Sequence, residues 1–193
     1  MNISKPGQLT LALIIICVAC YVPDLLGLRF FGLELGDWMA VGPDSFSRPW
    51  EFVTAIFAHG SLEHLAMNMV SLYWLGTMIE NIQGKVRFAI IFFVSGILGN
   101  VVFALLADGY AVGASGSIFG LLGAGAFLLY QMRDNPAARG MFQGMVAMLV
   151  LNIFNSFLPG IALEAHLGGL IGGVASEAAI IAIDQKRLPK PRT

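Results

Sequence analysis

Six apolar runs, at about residues 9–27, 62–80, 86–107, 115–132, 141–158 and 163–183, are separated by polar stretches along this chain. Each is close to the ~20 residues that carry a helix across a bilayer. The pattern predicts an all-α membrane protein, one domain over residues 1–193, with six transmembrane helices. The longest connection, from about Leu28 to Gly60, mixes charges with Phe30, Phe31, Leu33, Leu35, Trp38, Trp50 and Phe52. Such a segment is expected to lie in the membrane interface, where aromatic residues are favoured. The fourth run departs from the rest. Polar and turn-forming residues, Ala107-Asp108-Gly109-Tyr110 and Gly113-Ala114-Ser115-Gly116, precede an apolar stretch that ends at Arg133. At ~1.5 Å per residue that stretch spans only about 25 Å, short of the ~30 Å hydrocarbon core. The Gly-rich segment is therefore expected to dip into the membrane, with its helix starting near Ser115. Irregular backbone at that depth requires protein or a water-filled cavity around it.

Composition strengthens the membrane reading. Hydrophobic residues make up 57% of the chain, charged residues 12%, and the mean hydropathy is +0.77. The charges that remain are asymmetric. Lys5, Lys85, Arg87, Arg133, Arg139, Lys186, Arg187, Lys190 and Arg192 fall on one side of a six-span topology, and only Arg29 and Arg48 fall on the other. The positive-inside rule then places both termini in the cytoplasm. The net charge of -1 gives no basis for a nucleic-acid partner. The first run has no A-x-A-like cleavage site, and no Arg/Ser-rich presequence is visible. The expected location is a bacterial cytoplasmic (inner) membrane, with the lipid bilayer as partner. Cys17 and Cys20 lie inside the first run, where thiolates lack an activating polar setting; they read as small apolar residues.

Polar side chains inside spans are costly and mark function. Four stand out: His64, Asn68, Ser115 and His166. His64 opens the second span, Ser115 the fourth and His166 the sixth, so all start from the outer face at similar depth. Asn68 follows His64 at i+4 and shares its helix face. Taken singly, Ser115 reads as a helix-packing serine and His166 as a satisfied interior histidine. Glycines shift that balance. Gly116 and Gly120 follow Ser115, and Gly169 and Gly173 follow His166; both pairs have the G-x-x-x-G spacing that lets helix backbones approach. If those helices meet, His166 can take the proton of Ser115 and make it a nucleophile. The start of a helix at Ser115 adds unpaired N–H groups and a positive dipole end, and Asn68 and His64 can add donors to the same developing charge. No carboxylate is placed to complete a triad, because Glu63 faces away and Glu80, Glu177 and Asp184 lie towards the other ends of their helices. The expectation is a Ser-His dyad, with His166 held by packing and Phe119, i+4 from Ser115, as the ring beside it.

These residues resemble the rhomboid family of intramembrane serine proteases over nearly the whole chain. The G-x-S-G motif is Gly113-Ala114-Ser115-Gly116, the histidine motif is Ala165-His166-Leu167-Gly168-Gly169 with Gly173, and the H-x-x-x-N motif is His64 to Asn68. His59 and Glu80 also fall at familiar positions. The resemblance implies a rhomboid-like six-helix bundle, Ser115 as nucleophile, His166 as general base, and an oxyanion hole from the Ser115 N–H, Asn68 and His64. It implies single-span membrane proteins as substrates and no cofactor. Two departures stand out: the family often has Trp-Arg in the first outer loop where this chain has Trp50-Glu51, and often a tyrosine where it has Phe119.

Three other readings compete. A non-catalytic rhomboid-like protein would bind transmembrane helices without cutting them, but such relatives typically lack the serine or the histidine. A metalloprotease would use His59, His64 and His166, although neither H-E-x-x-H nor H-x-x-E-H is present. A transporter would fit the broken fourth span, but lacks paired half-helices and an ion-coupling carboxylate.

Overall fold

The computed structural model describes residues 5–29 and 33–187, with side chains described as far as Lys186. Phe30 and Phe31 of the first long connection, Lys190 and Arg192 of the charge count, and the side chain of Arg187 lie outside those residues. The helices are α1 (Gln8–Leu25), α2 (Leu35–Met39), α3 (Glu51–Thr54), α4 (Leu62–Gln83), α5 (Lys85–Leu106), α6 (Ser115–Gln131), α7 (Pro136–Asn155) and α8 (Leu163–Arg187), with a 3-10 turn at Pro43–Ser47. Among the described residues no sheet forms; one isolated antiparallel bridge joins Val41 to Ala111.

Helix boundaries follow local chemistry. The hydroxyl of Ser61 accepts from the His64 N–H and caps α4. Asn135 caps α7 by accepting from Ala137 and Ala138, with Pro136 at its first turn. That cap starts α7 five residues before the apolar run begins at 141. α8 likewise continues past residue 183 through polar Asp184, Gln185 and Lys186 to Arg187. α1 has no side-chain cap of its own. Instead Glu80, near the end of α4, accepts from the N–H groups of Leu9 (3.0 Å) and Thr10 (2.8 Å) and from the Thr10 hydroxyl (2.9 Å). A carboxylate at a helix start also meets the positive end of its dipole.

α6 occupies the centre. Residues Gly116 to Ala126 are buried without a break, as expected of a helix that is apolar all round. α5 and α8 flank it closely, α4 packs on its other side, α1 leans on α4, and α7 rests chiefly against α6. Phe88, Ile91, Phe92, Leu121 and Leu122 fill the main core. A smaller cluster of Val41, Phe52, Ala55, Phe103, Ala104 and Ala165 pins the 40–55 segment onto α5 and α8. Asn100 on α5 secures it further by donating to the Phe52 carbonyl at 2.9 Å. At the opposite end of the bundle, Gln83 donates to Glu177 at 2.6 Å and Arg87 pairs with Asp184 at 2.7 Å, tying α4, α5 and α8 together.

The outward surfaces are apolar. Ile15, Val18, Met67, Val70, Trp74, Val94, Leu105, Val150, Leu151, Phe154 and Ile171 are all exposed. A water-soluble monomer does not present so much contiguous apolar surface. Among the described residues, α1, α5, α7 and α8 are each long and apolar enough to cross a membrane. α6 is apolar but has 17 residues, and α4 has 22 residues but carries Glu63, His64, Asn68 and Glu80. Cys17 is buried and Cys20 half-buried in α1, and neither is in a disulfide.

Candidate active site

Where α6 and α8 cross, glycines replace side chains. A Cβ on Gly169 would overlap the Gly116 carbonyl, and one on Gly173 would overlap the Gly120 carbonyl. Gly99 on α5 meets the same seam, 3.0 Å from where a Cβ on Gly168 would sit. The two backbones therefore touch, and the residues heading each helix come together. His166 Nε2 lies 2.9 Å from Ser115 Oγ. At this distance the imidazole can accept the serine proton.

Ser115 is the first residue of α6, and the first bond into that helix runs from the Ile118 N–H to the Ala114 carbonyl at 3.0 Å. The amides of Ser115, Gly116 and Ser117 stand ahead of it, at the positive end of the helix. Gly113 leads into this start with φ at +130°, a conformation that disfavours any side chain. Its N–H donates to the Ala55 carbonyl at 2.8 Å. A Cβ here would also sit 2.7 Å from His64 Cε1 and 3.7 Å from Asn68 Nδ2. The His64 ring and the Asn68 amide thus lie against the segment that presents Ser115. Asn68 donates one amide hydrogen to the His64 carbonyl at 3.1 Å, leaving the second for another acceptor.

His166 is 8% exposed and makes two further contacts. Phe119 stacks on its ring, with centroids 4.2 Å apart and planes inclined by 14°. Its Nδ1 lies 2.7 Å from Ser156 Oγ, and that hydroxyl lies 2.7 Å from the Asn152 carbonyl. His166 is therefore held by a hydrogen bond as well as by packing. Sequence reasoning passed over Ser156, which sits just past the end of α7, ten positions before the histidine. The available signal was the polar pair Asn152 and Ser156, one turn apart at the end of an apolar helix.

His59 is buried beside His64, with ring centroids 5.2 Å apart in an edge-to-face arrangement. Its Nδ1–H donates to the Phe57 carbonyl at 3.2 Å. Burial and the neighbouring His64 push its pKa down to about 4, against the opposing pull of the Phe57 carbonyl. Among the described residues no three His, Cys, Asp or Glu side chains converge to hold a metal. Glu51, which replaces the family's frequent arginine, is 2% exposed. It accepts from the Ser45 hydroxyl at 2.6 Å and pairs with Arg48 Nε at 2.6 Å. Arg48 also reaches Asp44 at 2.6 Å. The loop keeps an arginine-centred network, built from Arg48 around a buried carboxylate.

Comparison with known proteins identifies the family of the chain. The profile described as "Rhomboid domain" matches residues 47–183. The chain is similar to Rhomboid protease GluP of Bacillus subtilis, at 35% identity over 68% of this chain and 26% of the relative. It is similar to RHOMBOID-like protein 5 of Arabidopsis thaliana, at 34% identity over 64% of this chain and 41% of the relative. Rhomboid protease AarA of Providencia stuartii is 28% identical over 84% of this chain and 63% of the relative. The chain thus spans about a quarter of GluP's length and under half of that of RHOMBOID-like protein 5. The matched region runs from the loop segment before α3 to the last turns of α8, and so includes Ser115, His166, His64 and Asn68. With its apolar outer surface and its span-length helices, the chain is an integral, multi-pass membrane protein that belongs to the rhomboid family.

Proposed function

We propose that this protein is an intramembrane serine endopeptidase that cuts single-span membrane proteins with Ser115 as nucleophile and His166 as general base. The observation that carries the reading is the 2.9 Å approach of His166 Nε2 to Ser115 Oγ. Ser115 Oγ attacks the scissile carbonyl carbon as its proton passes to Nε2. The tetrahedral oxyanion is met by the Ser115 N–H, the second amide hydrogen of Asn68 and the His64 ring, at the positive end of α6. His166 returns the proton to the leaving amine, and the peptide bond breaks to leave an acyl-enzyme on Ser115. Water, deprotonated by His166, then hydrolyses that ester and restores Ser115. No cofactor takes part.

In this reading α1, α4, α5, α6, α7 and α8 are the six membrane crossings. α6 is short because its start is recessed, and α4 is polar because it lines the site. Both termini lie in the cytoplasm of a bacterial inner membrane, and the 28–60 connection lies in the outer interface. Substrate reaches Ser115 between α4 and α7. Between the same two helices, towards the end away from Ser115, lies an apolar groove of about 640 Å³, lined by Tyr73, Trp74, Met78, Met141, Met145 and Met148. Only Ala138 and Met145 of α7 are buried.

The test is cleavage of a tagged single-span substrate in proteoliposomes. Wild type cleaves, and Ser115→Ala and His166→Ala do not. Asn68→Ala slows cleavage by ~10²–10³-fold at most, the usual cost of one oxyanion donor. Full activity in Ser115→Ala would overturn the mechanism.

A further inference from the structure

The hydroxyl of Ser156 carries one hydrogen and has two partners. One is the Asn152 carbonyl at 2.7 Å, which can only accept. That hydrogen is therefore committed, and towards His166 Nδ1, also at 2.7 Å, Ser156 Oγ can act only as acceptor. Nδ1 must then carry a hydrogen, and in a neutral imidazole Nε2 is left with its lone pair. Nε2 is the atom facing Ser115 Oγ at 2.9 Å. The hydrogen bonds thus run in one direction, from Ser115 to His166 to Ser156 to the Asn152 carbonyl.

We propose that Ser156 is a positioning residue that locks His166 in the Nδ1–H tautomer and fixes the rotation of its ring, the task an acidic third member performs in a triad. The proposal rests on the reading of Ser115 and His166 as nucleophile and base. Stacking against Phe119 cannot do this alone. A face-to-face contact sets the plane of the imidazole, but does not distinguish one ring nitrogen from the other or stop rotation within that plane. Ser156 is 3% exposed, so water has little access to replace its oxygen. When His166 accepts the Ser115 proton it becomes an imidazolium, and a hydrogen bond from a charged donor is about twice as strong as a neutral one. The Ser156 contact therefore gains strength along the reaction coordinate. An interaction that strengthens in the transition state acts on kcat more than on KM.

The experiment compares Ser156→Ala, Ser156→Thr and Ser156→Val with wild type in proteoliposomes, alongside Ser115→Ala. Thr and Val have nearly the same volume and differ by the hydroxyl. Ser156→Ala and Ser156→Val should lower kcat by about tenfold, with KM held within about twofold. Ser156→Thr should recover kcat to within about threefold of wild type. Solid-state ¹⁵N spectra supply a readout independent of turnover, because the chain has only three histidines to assign. Wild-type His166 should carry its hydrogen on Nδ1, and Ser156→Val should show a tautomer mixture. Wild-type kcat in Ser156→Val, equal losses in the Thr and Val variants, or an Nε2–H tautomer in wild type would each overturn the proposal. Loss of cleavage in Ser115→Ala is scored separately, so failure of the Ser115–His166 reading is distinguishable from failure of this one.

Discussion

Replacing Glu80 by alanine should loosen α1 from the bundle, and the structure sets the size of the effect. The carboxylate accepts three hydrogen bonds, from the Leu9 N–H, the Thr10 N–H and the Thr10 hydroxyl, at 2.8–3.0 Å. Glu80 is buried and Thr10 fully so. A bond to a charged acceptor contributes about 1.5–3 kcal/mol, and a buried donor left without a partner costs about 1–3 kcal/mol. The three bonds share two oxygens and are not independent, so the expected loss is about 3–5 kcal/mol. On the scale of soluble proteins of this length, about 2–4 °C per kcal/mol, the unfolding midpoint falls by roughly 6–20 °C. Thermal unfolding in detergent micelles measures it, with Glu80→Gln as an intermediate because it keeps one acceptor. A double-mutant cycle with Thr10→Val isolates the shared contact. Thr10→Val should cost about 1 kcal/mol in wild type and close to nothing in Glu80→Ala. If Glu80→Ala unfolds within ~1 kcal/mol of wild type, or the two substitutions simply add, Glu80 is not what caps α1.

Three further outcomes follow from the same geometry. Gly173→Val should abolish folding or cleavage, because its side chain would be driven into the Gly120 backbone, whereas Gly144→Ala on α7 has open space and should be neutral or stabilising by up to ~1 kcal/mol; detergent unfolding and cleavage assays report both. Phe119→Ala should destabilise by about 3–5 kcal/mol through the cavity left beside His166 and reduce cleavage further by freeing the ring. The folded pKa of His59, about 4, lies below the ordinary 6.5, so the unfolded chain binds the proton first. Stability is therefore full above about pH 6.5 and declines towards pH 4, by about 3 kcal/mol from this residue. Unfolding followed against pH should lose that component of the acid limb in His59→Phe, and an unchanged limb would refute the assignment.

Hydropathy located the long helices because lipid-facing and core-facing positions are both apolar, leaving polar residues to mark ends and sites. The 62–80 and 115–132 runs start at the same residues as α4 and α6. Where hydropathy misplaced a boundary, hydrogen bonding had set it: Asn135 and Pro136 begin α7 ahead of its apolar stretch. The short helices at Leu35–Met39 and Glu51–Thr54 carry no periodicity long enough to read, and depend on tertiary contacts such as Asp24 accepting from Leu35 at 2.8 Å. Ser115, His166, His64 and Asn68 were legible because each is a polar residue near the start of a span. Ser156 was not, since its meaning lies in a contact across the turn between two helices. Glu51 showed the converse: its departure from the usual pattern was visible, but Arg48 as its partner emerged only from the folded loop.

The bundle has a closely packed part and a lightly packed part, and the boundary between them runs through His166. Ser115 and His166 ride on α6 and α8, whose backbones are in contact and cannot slide without collision. Ser156 rides on the end of α7, which rests chiefly on α6 and leaves most of its surface outside. A shift of roughly 1 Å at that end stretches a 2.7 Å hydrogen bond beyond its useful range, yet moves neither Ser115 nor His166. On the proposed role of Ser156, the orientation of the histidine therefore depends on where the end of α7 stands, although the serine and histidine of the dyad are themselves carried by other helices.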